Sequence, residues 1–138
     1  MSRRIRIEIG GTSGTAELCE SLSPVTCDAF WASLPIDTVL ASTVWSGEAC
    51  CFPLESEALQ AVTENEAPVC SIYPGYLATR PASGEALIAY GTSEYRSPLG
   101  TEYATRVARI TEGLGGIRQV LARTREEGEA RVRITRLA

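Results

Sequence analysis

Two stretches near the ends of the chain alternate polar and apolar residues, the second of them as far as Thr135. Arg4-Ile5-Arg6-Ile7-Glu8-Ile9 is one, and Arg131-Val132-Arg133-Ile134-Thr135-Arg136-Leu137 is the other. A period of two puts every second side chain on the same face, so each stretch reads as a half-buried strand. Between them the sequence predicts many more short strands. Gly10-Gly11-Thr12-Ser13-Gly14 is a turn, and Thr15 to Cys19 returns as a second strand. Thr38–Leu40, Thr43–Trp45, Ala49–Phe52, Val69–Ile72, Ala86–Tyr90 and Tyr103–Ile110 are further strand-like runs, and Gly91 to Gly100 reads as a polar loop.

Helical spacing occurs at two principal places. Ser23-Pro24 has the form of an N-cap followed by proline at the first helical position. Cys27, Phe30, Trp31 and Leu34 follow on one face, and Pro35 ends the run. Leu114, Ile117, Val120 and Leu121 mark the second helix, which ends at Gly128. A short helical turn is expected near Glu57-Ala58-Leu59-Gln60. Many short strands with two helices favour a mainly β chain folded as a closed or nearly closed barrel, its ends plugged by the helices. The 138 residues suit one domain, spanning 1–138.

Composition narrows the chemistry. The chain has no histidine, and all 13 basic residues are arginine. Ser-His-Asp and Cys-His mechanisms within one chain are therefore excluded, as are Schiff-base and P-loop lysine chemistry. From Ile7 to Thr79 there are ten acids and no basic residue, whereas Arg80 to Ala138 carries ten arginines. The two halves are expected to neutralise each other on folding. A net charge of −4 without a basic run argues against nucleic-acid binding. No apolar run approaches membrane-spanning length, and the arginine-rich start has no apolar segment after it, so the expected location is the cytoplasm. The five cysteines form no Cys-x-x-Cys pair. No metal or other cofactor is expected, and adjacent Cys50 and Cys51 should face opposite sides of a strand.

Several segments resemble a known family. "GTAELCESLSPVTCDAFWASLP" resembles the second strand and first helix of cyclophilins, and "VARITEGLGGIRQVL" a late cyclophilin strand entering a Glu-Gly turn and a helix. "VWSGEACCFP", "YPGYLATRPASGEALIAYG" and "YATRVARITEGL" look like the small bacterial cyclophilin-like proteins of unknown function. The resemblance implies an eight-stranded barrel capped by two helices. It also brings prolyl isomerisation into view. Cyclophilins place an arginine and a glutamine on strands corresponding roughly to Thr38 through Phe52, where the guanidinium holds the prolyl amide. This chain has neither residue there, so efficient prolyl isomerase activity is not expected. Similar barrels in bacterial allophanate-hydrolase and carboxylase-related subunits suggest amide, urea-like or carboxylate ligands.

On such a barrel, four stretches offer polar and aromatic groups to one concave face: Trp45 to Glu48, Tyr73 to Tyr76, Tyr90 to Ser93, and Arg96 to Pro98. The candidate ligand-binding residues are Trp45, Glu48, Tyr73, Tyr76, Tyr90 and Arg96, and the expected ligand is a small polar molecule or a peptide. Each has a plainer alternative. Trp45 and Tyr90 suit core packing, Glu48 a turn, and Arg96 an ion pair with Glu94 or Glu102. No catalytic residue is assigned. Two other readings stay open. One is an enzyme acting on an amide or carboxylic acid through Glu48 and Arg96. The other is a homo-oligomeric structural subunit that buries Trp31, Trp45 and Tyr103 between chains.

Overall fold

Alternation sets the first hairpin. In β1 (Arg4–Ile9) the buried residues are Ile5, Ile7 and Ile9, and all three are fully shielded from solvent. The strand turns through Gly10 and Gly11, whose φ angles are 54° and 86°. Positive φ at both positions is the type I′ turn that matches strand twist. β2 (Thr12–Leu18) begins at once, with Thr12 opposite Ile9. The turn is thus shorter than the five residues read from sequence, because Thr12 and Ser13 join the ladder. A computed structural model describes residues 2–43, 46–81 and 83–137.

The remaining elements are α1 (Pro24–Ala32), β3 (Ile36–Ser42), β4 (Gly47–Pro53), α2 (Glu57–Gln60), β5 (Ser71–Ile72), β6 (Tyr76–Arg80), β7 (Glu85–Glu94), β8 (Arg96–Ser97), β9 (Gly100–Thr101), β10 (Thr105–Glu112), α3 (Leu114–Glu127) and β11 (Ala130–Arg136). Eight strands follow one another in the order β4-β3-β11-β1-β2-β10-β6-β7, and β7 pairs back onto β4. Every pairing is antiparallel, so the protein is a mainly β, closed eight-stranded barrel. β5 adds to β7 outside the ring, and β8 and β9 form a separate small hairpin.

Some boundaries differ from the sequence reading. The first predicted strand of the middle region widens to Ile36–Ser42, and Val44 and Trp45 lie outside the described residues. β7 runs on through Glu94, where glycine and hydroxyl residues suggested a loop. The ladders to Gly47 of β4 and to β5 hold it extended. The short helical turn expected near Glu57 to Gln60 is present as α2, a third helix beside the two longer ones.

Apolar residues collect on both sides of the barrel wall. Inside lie the isoleucines of β1, with Leu18, Leu40, Phe52, Ile88 and Ile134, and Phe30 of α1 and Ile117 and Leu121 of α3 pack against them. Outside, Ala49, Ala78, Leu87 and Ala89 form a second cluster with Ile72, Tyr95 and Ala104. Cys50 belongs to the inner cluster and Cys51 borders the outer one, so neighbouring thiols do occupy opposite faces.

The start of α1 corrects one expectation. Ser23 makes no capping bond; its hydroxyl donates to the Arg106 carbonyl oxygen at 2.7 Å. Glu66 takes over the role from a distant loop. Its carboxylate accepts from the Thr26 amide and the Thr26 hydroxyl, both at 2.7 Å, and from the Val25 amide at 3.3 Å. A carboxylate at exposed helix amides suits both their hydrogen bonding and the helix dipole. Among the described residues one ion pair joins the acidic and arginine-rich halves, Arg131 with Asp37 at 2.9 Å; Arg3, which precedes both, pairs with Glu20 and Asp28, both at 2.6 Å.

Among the described residues, no helix is long and apolar enough to cross a membrane.

Candidate functional site

The site begins with an irregularity in the β4–β7 ladder. Gly47 faces Ser93 while Ala49 faces Ala89, so β7 spends more residues than β4 across the same span. A bulge of this kind re-aims side chains next to it. Here it lifts Thr92 towards Glu48, and the Thr92 amide donates to Glu48 Oε1 at 3.0 Å. Gly91 makes the arrangement possible, because a Cβ there would stand 2.6 Å from Glu48 Oε1 and 2.7 Å from its carboxyl carbon. The glycine is needed for close approach rather than for an unusual backbone angle.

A cleft of about 440 Å³ opens beside this bulge. Glu48 of β4 and Tyr90 to Ser93 of β7 form one wall. Ser71 and Ile72 of β5 and the following Tyr73-Pro74 form another, and Arg118 of α3 completes the lining. Tyr73 lies in a turn closed by Gly75, whose φ is 92°, with the Tyr76 amide donating to the Tyr73 carbonyl oxygen at 3.2 Å. That turn leaves Tyr73 66% exposed at the rim.

Three of the six sequence candidates therefore come together: Glu48, Tyr73 and Tyr90. Trp45 lies outside the described residues. Tyr76 does not line the cleft. It borders the outer apolar cluster, with the Arg106 guanidinium 5.7 Å from its ring centre. Arg96 does not line it either. It sits on the β8–β9 hairpin and pairs with Glu94 at 3.1 Å, one of the plainer alternatives weighed for it. Tyr90 combines both of its readings, since it packs in the inner core and also lines the cleft. Its hydroxyl is buried and has no hydrogen-bond partner among the described residues.

Sequence reasoning missed the cleft's guanidinium. Arg118 Nε donates to the Tyr90 carbonyl oxygen at 2.9 Å, which ties α3 to β7. Arg125 follows two turns later on the same helix face. It stands 5.9 Å from the Tyr90 ring centre and donates to the Gly47 carbonyl oxygen at 3.3 Å. The available signal was the spacing: Arg118 adjoins the apolar Ile117, so it falls beside the buried stripe of the helix.

A second polar cluster lies on the outer wall. Tyr95 donates to Glu85, Arg80 pairs with Glu102 at 2.8 Å, and Ser97 donates to Glu102 at 2.8 Å. Burial and the neighbouring Glu85 push the Tyr95 hydroxyl up from its ordinary range. These contacts hold the segment carrying β8 and β9 against the sheet. Burial likewise pushes Cys27 up to about 11 and raises Cys50 and Cys51, so these thiols stay protonated near neutrality. Among the described residues, no group of three or more carboxylates and thiols is arranged to hold a metal ion.

The cleft thus offers a carboxylate, a guanidinium, several hydroxyls and an aromatic rim. Two solved structures share the architecture. One is the structure of McbB in complex with tryptophan, which superposes with a TM-score of 0.77 at 18% identity over 96% of this chain. The chain spans only 44% of that protein's length. The other is the solution structure of the hypothetical protein AF2241 from Archaeoglobus fulgidus, with a TM-score of 0.65 at 20% identity, covering 99% of this chain and 95% of the other. No curated protein matches the sequence. Over residues 5–136 the chain matches the family described as "Protein of unknown function (DUF3830)", and it belongs to that family.

Proposed function

We propose that the protein is a cyclophilin-like barrel that binds a small polar molecule in the cleft between β4, β7 and α3. The carrying observation is that Glu48 and Arg118 reach one cleft of about 440 Å³ from separate elements. That volume falls within the roughly 300–1,000 Å³ usual for small-molecule sites, which combine apolar walls with a few placed polar groups. McbB, similar in fold, has been solved with tryptophan, a molecule of this size class. Prolyl isomerisation is not part of the proposal, because β3 and β4 carry neither arginine nor glutamine.

Native mass spectrometry of gently purified protein tests the reading. The expected result is a small adduct that survives mild activation in the parent protein and disappears in Glu48→Gln and Arg118→Ala. An adduct that persists in both variants, or none in the parent, would sink it.

A further inference from the structure

Glu48 and Arg118 line the same cleft, yet neither belongs to any ion pair among the described residues. Each is oriented by backbone instead. Glu48 Oε1 takes the Thr92 amide, and Arg118 Nε gives to the Tyr90 carbonyl oxygen. A backbone group fixes direction without cancelling charge. Opposite charges are therefore held apart across one open space, the negative one on the barrel wall and the positive one on α3. The exposed Tyr73 ring and the neighbouring Pro74 supply apolar surface at the cleft's rim.

We infer that the cleft takes a small zwitterion of the amino-acid class with an apolar side chain. Its ammonium group would meet Glu48, its carboxylate Arg118, and its side chain Tyr73 and Pro74. The inference rests on the reading of this cleft as a binding site. A ligand with only one charge would leave the other wall group unmatched, whereas a zwitterion satisfies both with charge-assisted hydrogen bonds. An uncharged ligand would desolvate two charges for no return.

The test is isothermal titration with L-phenylalanine, L-phenylalanine amide, which lacks the carboxylate, and N-acetyl-L-phenylalanine, which lacks the ammonium group. L-Phenylalanine is expected to bind about tenfold or more tightly than either analogue. Glu48→Gln should weaken L-phenylalanine and the amide but leave N-acetyl-L-phenylalanine unchanged. Arg118→Ala should weaken L-phenylalanine and the N-acetyl compound but leave the amide unchanged. Both side chains are exposed, so unchanged circular dichroism is expected for each variant. Equal binding of all three compounds overturns the zwitterion and leaves a binding cleft. No binding of L-phenylalanine, with the native adduct still lost in both variants, does the same. If no compound binds and no adduct forms, the cleft reading falls as well.

Discussion

The guanidinium of Arg136 lies 5.0 Å from the Trp31 ring centre and donates twice to the Trp31 carbonyl oxygen, at 3.1 Å through Nε and 2.7 Å through Nη2. Arg3 stands at 5.4 Å from the same ring. The last strand is thereby tied to the end of α1. Arg136→Ala is expected to cost about 1 kcal/mol, the sum of modest surface cation–π and hydrogen-bond terms. It should also shift tryptophan emission to the red as the Trp31 ring gains water. Denaturant melts followed by fluorescence check both, and an unchanged midpoint would show the contact to be idle.

The Glu66 cap makes stability depend on pH. Burial works to raise this carboxyl, but the hydrogen bonds from the Thr26 side chain and from the Thr26 and Val25 amides outweigh it and hold it below its ordinary 4.5. A group with a depressed folded value stabilises most above the unfolded value and loses that contribution as pH falls through the folded one. The contribution is therefore full above 4.5 and fades below it. Glu66→Gln should lower stability by about 1 kcal/mol near neutrality and flatten the acid limb of the stability curve. An acid limb as steep as the parent's would assign the titration elsewhere.

Gly91→Ala should act through Glu48. The added methyl meets the carboxyl end of Glu48, which must swing away, so the Thr92 bond breaks, at a cost of up to about 1 kcal/mol. In a Glu48→Ala background the same substitution should cost markedly less, and the two changes should be non-additive. Chemical denaturation of the four proteins gives the coupling directly; strict additivity would mean that Gly91 serves the ladder alone.

Thiol labelling separates the cysteines. Cys27 and Cys50 are fully shielded and stay protonated, whereas Cys19, Cys51 and Cys70 are half-buried. Mass spectrometry after brief treatment with a thiol reagent at mildly alkaline pH should find Cys27 and Cys50 unmodified until denaturant is added. Early modification of Cys50 would contradict its place inside the barrel.

How much of this could be read from the residues depends on the range of the interaction. β1, most of β11 and the apolar stripe of α3 follow from local periodicity, which a buried face enforces. The candidate site was legible where chemistry is local: Glu48, Tyr73 and Tyr90 stand out as polar or aromatic groups beside glycine and proline. Arg118 did not stand out, because an arginine on a helix looks like any solvated position until the helix is docked. The Glu66 cap spans 40 residues of sequence and carries no local mark. Gly91 to Glu94 carries turn-forming residues, and only the partner strands hold it extended.

β11 sits between β1 and β3 rather than at the margin of the sheet. Residues 130–136 are therefore the keystone of the ring. Until they are in place, β1 and β3 each present an unpaired row of backbone groups, open to any passing polypeptide. β11 follows the other ring strands in the chain, so closure waits for it and cannot be completed piecemeal. Premature termination shortly before Ala130 would yield a species with two adhesive edges, whose fate is self-association and not a slightly weaker barrel.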